Sequence, residues 1–162
     1  MKNLNKTDIG LIGLAVMGEN LALNMADMKE KILIIEDDPL IRNELKTLLQ
    51  SNGYETVAPE KFADVIDRIK AEQPHLILLD IKLPGTSGFS LCTEIRTFSE
   101  VPIIFVTSCN TDMDELNSIM LGGDAFITKP YNTAILLAKI ASLLKKAYPD
   151  RKSTRLNSSH IL

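Results

Sequence analysis

Three acids, a hydroxyl and an amine stand at the ends of apolar runs. Glu36 and Asp37 follow Lys31-Ile-Leu-Ile-Ile35, and Asp80 follows Leu76-Ile-Leu-Leu79. Thr107 closes Pro102-Ile-Ile-Phe-Val106, and Lys129 follows Ala125-Phe-Ile-Thr128, just before Pro130. Carboxylates crowded together need a cation, and oxygen-only ligands favour a hard one such as Mg²⁺. With that charge in place Asp80 can act as an oxygen nucleophile towards phosphorus. The ammonium of Lys129 and the hydroxyl of Thr107 then suit the neutralisation and orientation of phosphoryl oxygens. Each residue alone has a plainer reading. Asp37, Asp38 or Asp80 could cap a helix, Thr107 could be an ordinary strand-end hydroxyl, and Lys129 a solvated lysine. Together, at the ends of four strand-like runs, they make a pattern that the plainer readings do not produce.

These side chains meet only if the runs that carry them are neighbouring parallel strands. Lys31–Ile35 has the β-branched character of a strand buried on both faces. Apolar residues recur at Ile41, Leu45, Leu48 and Leu49, a helical spacing that Asn52-Gly53 closes. Tyr54 to Ala58 reads as a second strand. Phe62, Val65, Ile66 and Ile69 predict a helix ending before Pro74. The Pro-Gly-Thr-Ser-Gly segment at 84–88 predicts a loop into a helix around Phe89 to Phe98, and Pro102 to Val106 a fourth strand. A helix near Asp112 to Leu121, a fifth strand at Ala125 to Thr128 and a last helix from Ala134 to Ala147 complete the alternation. Repeated strand-helix pairs imply an α/β fold, a doubly wound parallel five-stranded sheet of (βα)5 type with helices on both faces. In such sheets ligands sit at the carboxyl ends of the strands.

Bulk properties agree with a globular domain and remove other classes. The 162 residues carry 18 basic and 21 acidic side chains, a net charge of -3, with 45% hydrophobic residues. No basic cluster offers a nucleic-acid footprint, so direct DNA binding by this chain is not expected. No stretch approaches the length of a membrane span. Cys92 and Cys109 lie in apolar segments and cannot form a disulfide framework, which fits a reducing cytoplasm. Cys109 reads as packing, His75 as structural, and His160 as no ligand because it has no ligating neighbours.

Four stretches carry a family resemblance: Ile32-Leu-Ile-Ile-Glu-Asp-Asp38, Leu78-Leu-Asp-Ile-Lys-Leu-Pro-Gly85, Pro102-Ile-Ile-Phe-Val-Thr107 and Phe126-Ile-Thr-Lys-Pro130. Residues 29–147 resemble the receiver domain of bacterial two-component response regulators. The resemblance implies a flavodoxin-like, CheY-like receiver in which Asp80 is the phospho-acceptor and Glu36 and Asp37 are the acidic pair. It implies Mg²⁺ held by Asp37, Asp80 and the Lys82 backbone carbonyl, with Glu36 in the metal set. Lys129 would contact the phosphoryl group, Thr107 would be the switch hydroxyl and Phe126 the rotating aromatic. The Lys129–Pro130 bond is expected cis. The implied partner is a sensor histidine kinase that presents phosphohistidine. The implied chemistry is acceptance of that phosphoryl group, the domain catalysing its own phosphorylation and dephosphorylation and no reaction on a separate substrate. The segment Lys129-Pro-Tyr-Asn-Thr-Ala-Ile-Leu-Leu-Ala-Lys-Ile140 is similar to the OmpR/PhoB-type branch, near regulators of cell-envelope or antimicrobial-peptide stress. That branch pairs two copies through the last two helices and the fifth strand. Ile135 and Ala125 stand where it carries acids, which puts the homodimer in doubt. Two readings from other classes stay open beside the switch: a phosphate-independent interaction module and a nicotinamide-dependent oxidoreductase fragment.

The second of these comes from the start of the chain. Ile9-Gly-Leu-Ile-Gly-Leu-Ala-Val-Met-Gly18 reads as strand, Gly-rich turn and helix start, with Gly13, Ala15 and Gly18 at fingerprint positions. With Glu-Asn-Leu-Ala-Leu-Asn24 it resembles the amino terminus of 6-phosphogluconate dehydrogenase, too short to bind a dinucleotide alone. A secretory signal is the poorer reading, because Asp8 and the glycines interrupt the apolar stretch. Residues 1–27 are therefore expected to be a fused leader and 28–148 the receiver. Residues 149–162 should be a disordered foreign tail, resembling the translation of a sequencing-library adapter and standing where OmpR-type regulators continue into a winged-helix DNA-binding domain. The chain reads as a chimera whose natural readout, transcription, needs an output domain.

Overall fold

The computed structural model describes residues 28–151, so the readings made for residues 1–27 and 152–162 lie outside the described residues. Five strands, β1 (Lys31–Ile35), β2 (Glu55–Val57), β3 (Leu76–Leu79), β4 (Ile103–Thr107) and β5 (Ala125–Thr128), form one sheet in the order β2-β1-β3-β4-β5. Every pairing in it is parallel. The helices are α1 (Pro39–Ser51), α2 (Val65–Glu72), α3 (Gly88–Ile95), α4 (Asp112–Met120) and α5 (Thr133–Ala147). This is the (βα)5 doubly wound arrangement that the alternation predicts.

Each central strand feeds two cores by simple alternation. Ile32 and Ile34 of β1, Leu76 and Leu78 of β3, and Ile104 and Val106 of β4 pack with Leu45 and Leu49 of α1 and Leu136, Ile140 and Leu144 of α5. The intervening Leu33, Ile35, Ile77, Leu79, Ile103 and Phe105 pack with Val65 and Ile69 of α2 and Leu91, Cys92 and Ile95 of α3. Full burial of each such side chain contributes roughly 1.5–3 kcal/mol, which is why the continuous apolar runs specify this sheet. Helix α4 differs: its one buried residue is Ser118, while Met113, Leu116, Ile119 and Met120 are exposed.

Local chemistry sets the element ends. Asp38 N-caps α1 by accepting from the Leu40 amide, with Pro39 in the first turn. Thr111 and Asp114 form a capping box on α4, and Asn132 caps α5 by accepting from the Ile135 amide. The 84–88 segment is more ordered than the predicted loop. Lys82–Leu83 pairs antiparallel with Thr86–Ser87 around Pro84-Gly85, and Gly85 takes a φ of 75° that favours glycine there. Two helices are shorter than predicted. Phe62 precedes α2, its carbonyl accepting from Val65 in a turn, although its side chain still packs on the core. Helix α3 stops at Ile95, where the ladder tightens into turns as the Thr97 amide donates to the Glu94 carbonyl and the Phe98 amide to the Ile95 carbonyl. The Arg96 guanidinium meanwhile donates to the carbonyls of Gly122, Ser99 and Val101 and to the Asp124 carboxylate. Phe98 is left half-exposed beneath the Lys70 ammonium, 4.8 Å from its ring centre.

His75 has the structural part expected of it. Its Nδ1 accepts from the Lys31 amide at 2.9 Å, and its ring stands edge-on to Tyr148. The chain divides into two compact units, and the one formed by Glu30–Pro149 holds all of these elements. In the other, Arg151 donates to the carbonyls of Met28 and Lys29. Among the described residues no helix is long and apolar enough to cross a membrane.

Candidate functional site

Register brings the strand ends together. Ile35 pairs with Leu79, so β1 and β3 finish in step; Leu79 pairs with Phe105, so β4 runs two residues further and ends level with β5, Thr107 against Thr128. The ladder runs one residue further, the Asp80 amide donating to the Ile35 carbonyl at 3.0 Å. On the other side the Lys129 amide donates to the Thr107 carbonyl at 2.8 Å. The residues just past β1, β3 and β5, together with the last of β4, therefore share one edge of the sheet.

There the carboxylates of Glu36, Asp37 and Asp80 gather, with one oxygen of each lying within 4.8 Å of the others. Lys129 bridges two of them, its Nζ donating to Glu36 Oε1 at 2.6 Å and to Asp80 Oδ2 at 2.9 Å. Glu36 and Asp80 are 2% and 6% exposed, whereas Asp37 faces solvent. Both oxygens of Glu36 are engaged, since Oε2 accepts from the Asp38 amide at 3.1 Å. Asp80 Oδ1 is buried and accepts no hydrogen bond. An orphaned buried carboxylate oxygen is costly unless a cation satisfies it.

Burial shifts the charges here in a definite direction. Desolvation pushes the Glu36 carboxyl above the usual carboxylate range, and the Asp80 charge adds to this; the Lys129 and Asp38 hydrogen bonds oppose it without reversing it. Burial would lower the Lys129 ammonium, but its hydrogen bonds to Glu36 and Asp80 and their charges outweigh that and hold it above the ordinary lysine value. Tyr131, beside the site on the turn into α5, is raised by burial and by Glu44.

Thr107 is fully buried at the end of β4, and its Oγ1 accepts from the Cys109 amide at 3.2 Å. Phe126 is half-buried and packs against the core on the α2–α3 side, as does Cys109. Lys82 lies in the hairpin two residues past Asp80, its side chain exposed. The Lys129–Pro130 bond is cis. Three features escaped the sequence reading: the double engagement of Glu36, the Arg42 guanidinium donating to the Glu36 carbonyl at 3.0 Å, and the return of Gly88 onto the Asp80 turn. Only the last left a mark in the sequence, the closing glycine of Pro84-Gly-Thr-Ser-Gly88.

The arrangement is an all-oxygen acid cluster with one ammonium and one open, buried carboxylate oxygen. Such a set suits a hard divalent cation. Mg²⁺ fits the residues present, because it would satisfy Asp80 Oδ1 and offset acids that outnumber the nearby ammonium.

Comparison with known proteins bears on what such a site serves. Residues 32–141 match the family described as response regulator receiver domain. The transcriptional regulatory protein YxdJ of Bacillus subtilis (strain 168) is 42% identical over 120 residues, covering 74% of this chain and 52% of that protein. The chain thus spans about half the length of the curated relatives it matches. Among solved structures, the N-terminal domain of the nisin resistance regulator NsrR, a lantibiotic response regulator, is 43% identical with a TM-score of 0.66, over 71% of this chain and 97% of that one. The BeF3-activated N-terminal receiver domain of Klebsiella pneumoniae RstA is 33% identical with a TM-score of 0.69, over 72% and 99%.

Proposed function

The chain belongs to the response regulator receiver domain family, and on that premise we propose that it is a phospho-accepting switch with Asp80 as the acceptor. One observation carries the assignment. Asp80 is the acid of the cluster that has one oxygen held by an ammonium and the other buried and unsatisfied. An acceptor needs that combination, an oxygen oriented for attack and a counter-charge already in place.

Asp37, Asp80 and the Lys82 carbonyl would hold Mg²⁺, with Glu36 beside them. When bound, that ion supplies positive charge for the transferring phosphoryl oxygens. The chain's residues do the rest. An Asp80 carboxylate oxygen attacks phosphorus in line; the new O–P bond forms as the P–N bond of a donor phosphohistidine breaks, and its electron pair returns to the imidazole. Lys129 keeps its proton and shifts its hydrogen bonds from carboxylate towards the phosphoryl oxygens. Glu36 holds Lys129 and the Asp38 amide, and so fixes both the ammonium and the turn that carries Asp37. Thr107 turns its hydroxyl hydrogen to donate to a phosphoryl oxygen, and Phe126 follows on the β5 side.

The donor class is a sensor histidine kinase, and the setting is cytoplasmic signalling of the OmpR/PhoB kind. YxdJ is a transcriptional regulatory protein, which supports transcription as the readout of the longer proteins to which such receivers belong. A homodimer through α4, β5 and α5 would form without charges at Ile135 and Ala125 of that face.

The test is intact mass after incubation with Mg²⁺ and acetyl phosphate, beside Asp80→Asn. One added phosphoryl group on the parent and none on the variant is expected. No addition to either would favour a phosphate-independent interaction module.

A further inference from the structure

The turn after Asp80 returns to its own beginning. From Asp80 the chain passes through Ile81 into the Lys82–Leu83 and Thr86–Ser87 hairpin, and then Gly88 donates its amide to the Ile81 carbonyl at 2.7 Å. Gly88 is buried and is the first residue of α3. A methyl carbon there would stand 2.1 Å from the Asp80 carbonyl oxygen, and 2.9 Å from the Asp80 carbonyl carbon and Ile81 Cα. All three are backbone atoms, so no rotamer relieves the overlap. The start of α3 or the Asp80–Ile81 peptide would have to move by about 1 Å.

We propose that Gly88 is a positioning residue for phosphoryl acceptance, its bare Cα seating α3 on the Asp80–Ile81 peptide. The inference rests on the acceptor reading above. The ladder bond from the Asp80 amide to Ile35 fixes this residue on its amino side. The Gly88 seat fixes it on its carboxyl side and sets where the chain continues to Lys82. Two consequences follow from the scale of the displacement. Mg²⁺ accepts ligands only near 2.0–2.1 Å in close to octahedral geometry. Misplacing a reacting group by about 1 Å costs on the order of 10²-fold in rate.

The experiment compares the full chain with Gly88→Ala, Gly85→Ala and Ser87→Ala. Gly85 has a φ of 75° and nothing within 4 Å of an added carbon, so alanine there strains the same hairpin without touching the Asp80 peptide. Ser87 caps α3 through the Ser90 amide, and alanine there loosens the seat without filling it. Mg²⁺ affinity is read by calorimetry, labelling by acetyl phosphate mass kinetics, and the metal-free backbone by amide NMR shifts. Gly88→Ala is expected to bind Mg²⁺ at least tenfold more weakly and to label about 100-fold more slowly. Its metal-free shifts should concentrate at residues 80–82. Gly85→Ala should match the parent, and Ser87→Ala should lose at least threefold in Mg²⁺ affinity. That last measurement decides the matter if Gly88→Ala does not fold. Parental Mg²⁺ affinity in folded Gly88→Ala or in Ser87→Ala overturns the inference, as does an equal loss in Gly85→Ala. Labelling of Asp80→Asn, or none of the parent, would instead remove the acceptor reading while leaving the Mg²⁺ and amide comparisons to judge the seat.

Discussion

Lys129 is the most consequential single side chain, because two buried carboxylates depend on its charge. Replacing it by methionine leaves Glu36 and Asp80 facing each other uncompensated, and removal of one partner from a buried pair costs roughly 3 kcal/mol. Urea unfolding of Lys129→Met in the absence of divalent cations should show a loss of that size, partly recovered on adding Mg²⁺. The pH dependence has a definite sign. The folded-state value of Lys129 is raised, so its contribution is complete below the ordinary lysine value and is lost as pH rises through the raised one. The gap between parent and variant should therefore close in the alkaline range. Glu36 is raised as well, so its own contribution is complete below the ordinary glutamate value and declines as pH climbs through its raised value. At this scale the sequence was readable as far as residue types at strand ends. That Glu36 spends both oxygens on protein donors was not, because the division of one ammonium between two acids is decided by angstroms.

Among the elements, α4 is the one whose hold on the domain is weakest. Its outward side carries Met113, Leu116 and Met120, and its inward anchor is Ser118, which donates to the Glu115 carbonyl. At its carboxyl end Arg96 grips the Gly122 carbonyl and Cys92 donates to the Leu121 carbonyl. The amino end depends on the Thr111–Asp114 capping box. Hydrogen exchange should therefore be faster in α4 than in α1 or α5. Thr111→Ala, which costs about 1 kcal/mol of helix stability, should speed exchange in α4 and leave α1 unchanged. The strand-helix alternation located this helix within a residue, yet gave no hint that its apolar positions face outward. The 82–87 hairpin was illegible for a different reason. Its strands are two residues long, too short for alternation to register, and its turn is visible only as Pro84-Gly85.

For the molecule as a whole, the acid cluster should make stability depend on divalent cations. At tenfold above its dissociation constant, Mg²⁺ should add about 1.4 kcal/mol to the stability of the parent. Thermal melts with and without Mg²⁺ should show that shift, and Asp37→Asn should abolish it while the metal-free melting temperature stays the same or rises. The fold itself was almost entirely legible, because a parallel sheet buried on both faces writes its strands as unbroken apolar runs such as Ile32–Ile35 and Leu76–Leu79.

The same parallel topology has a consequence for synthesis and breakage of the chain. Glu36 and Asp37 leave the first strand and Lys129 leaves the last, so the ammonium reaches the acids only when β3 and β4, which stand between those strands in the sheet, have been made and paired. A nascent chain halted before β5, or a proteolytic fragment that has lost it, presents Glu36 and Asp80 without the Lys129 ammonium that bridges them. On the acceptor role proposed above, a fragment of this kind would lack the counter-charge that the chemistry needs, so acceptance would double as a check that the domain is whole.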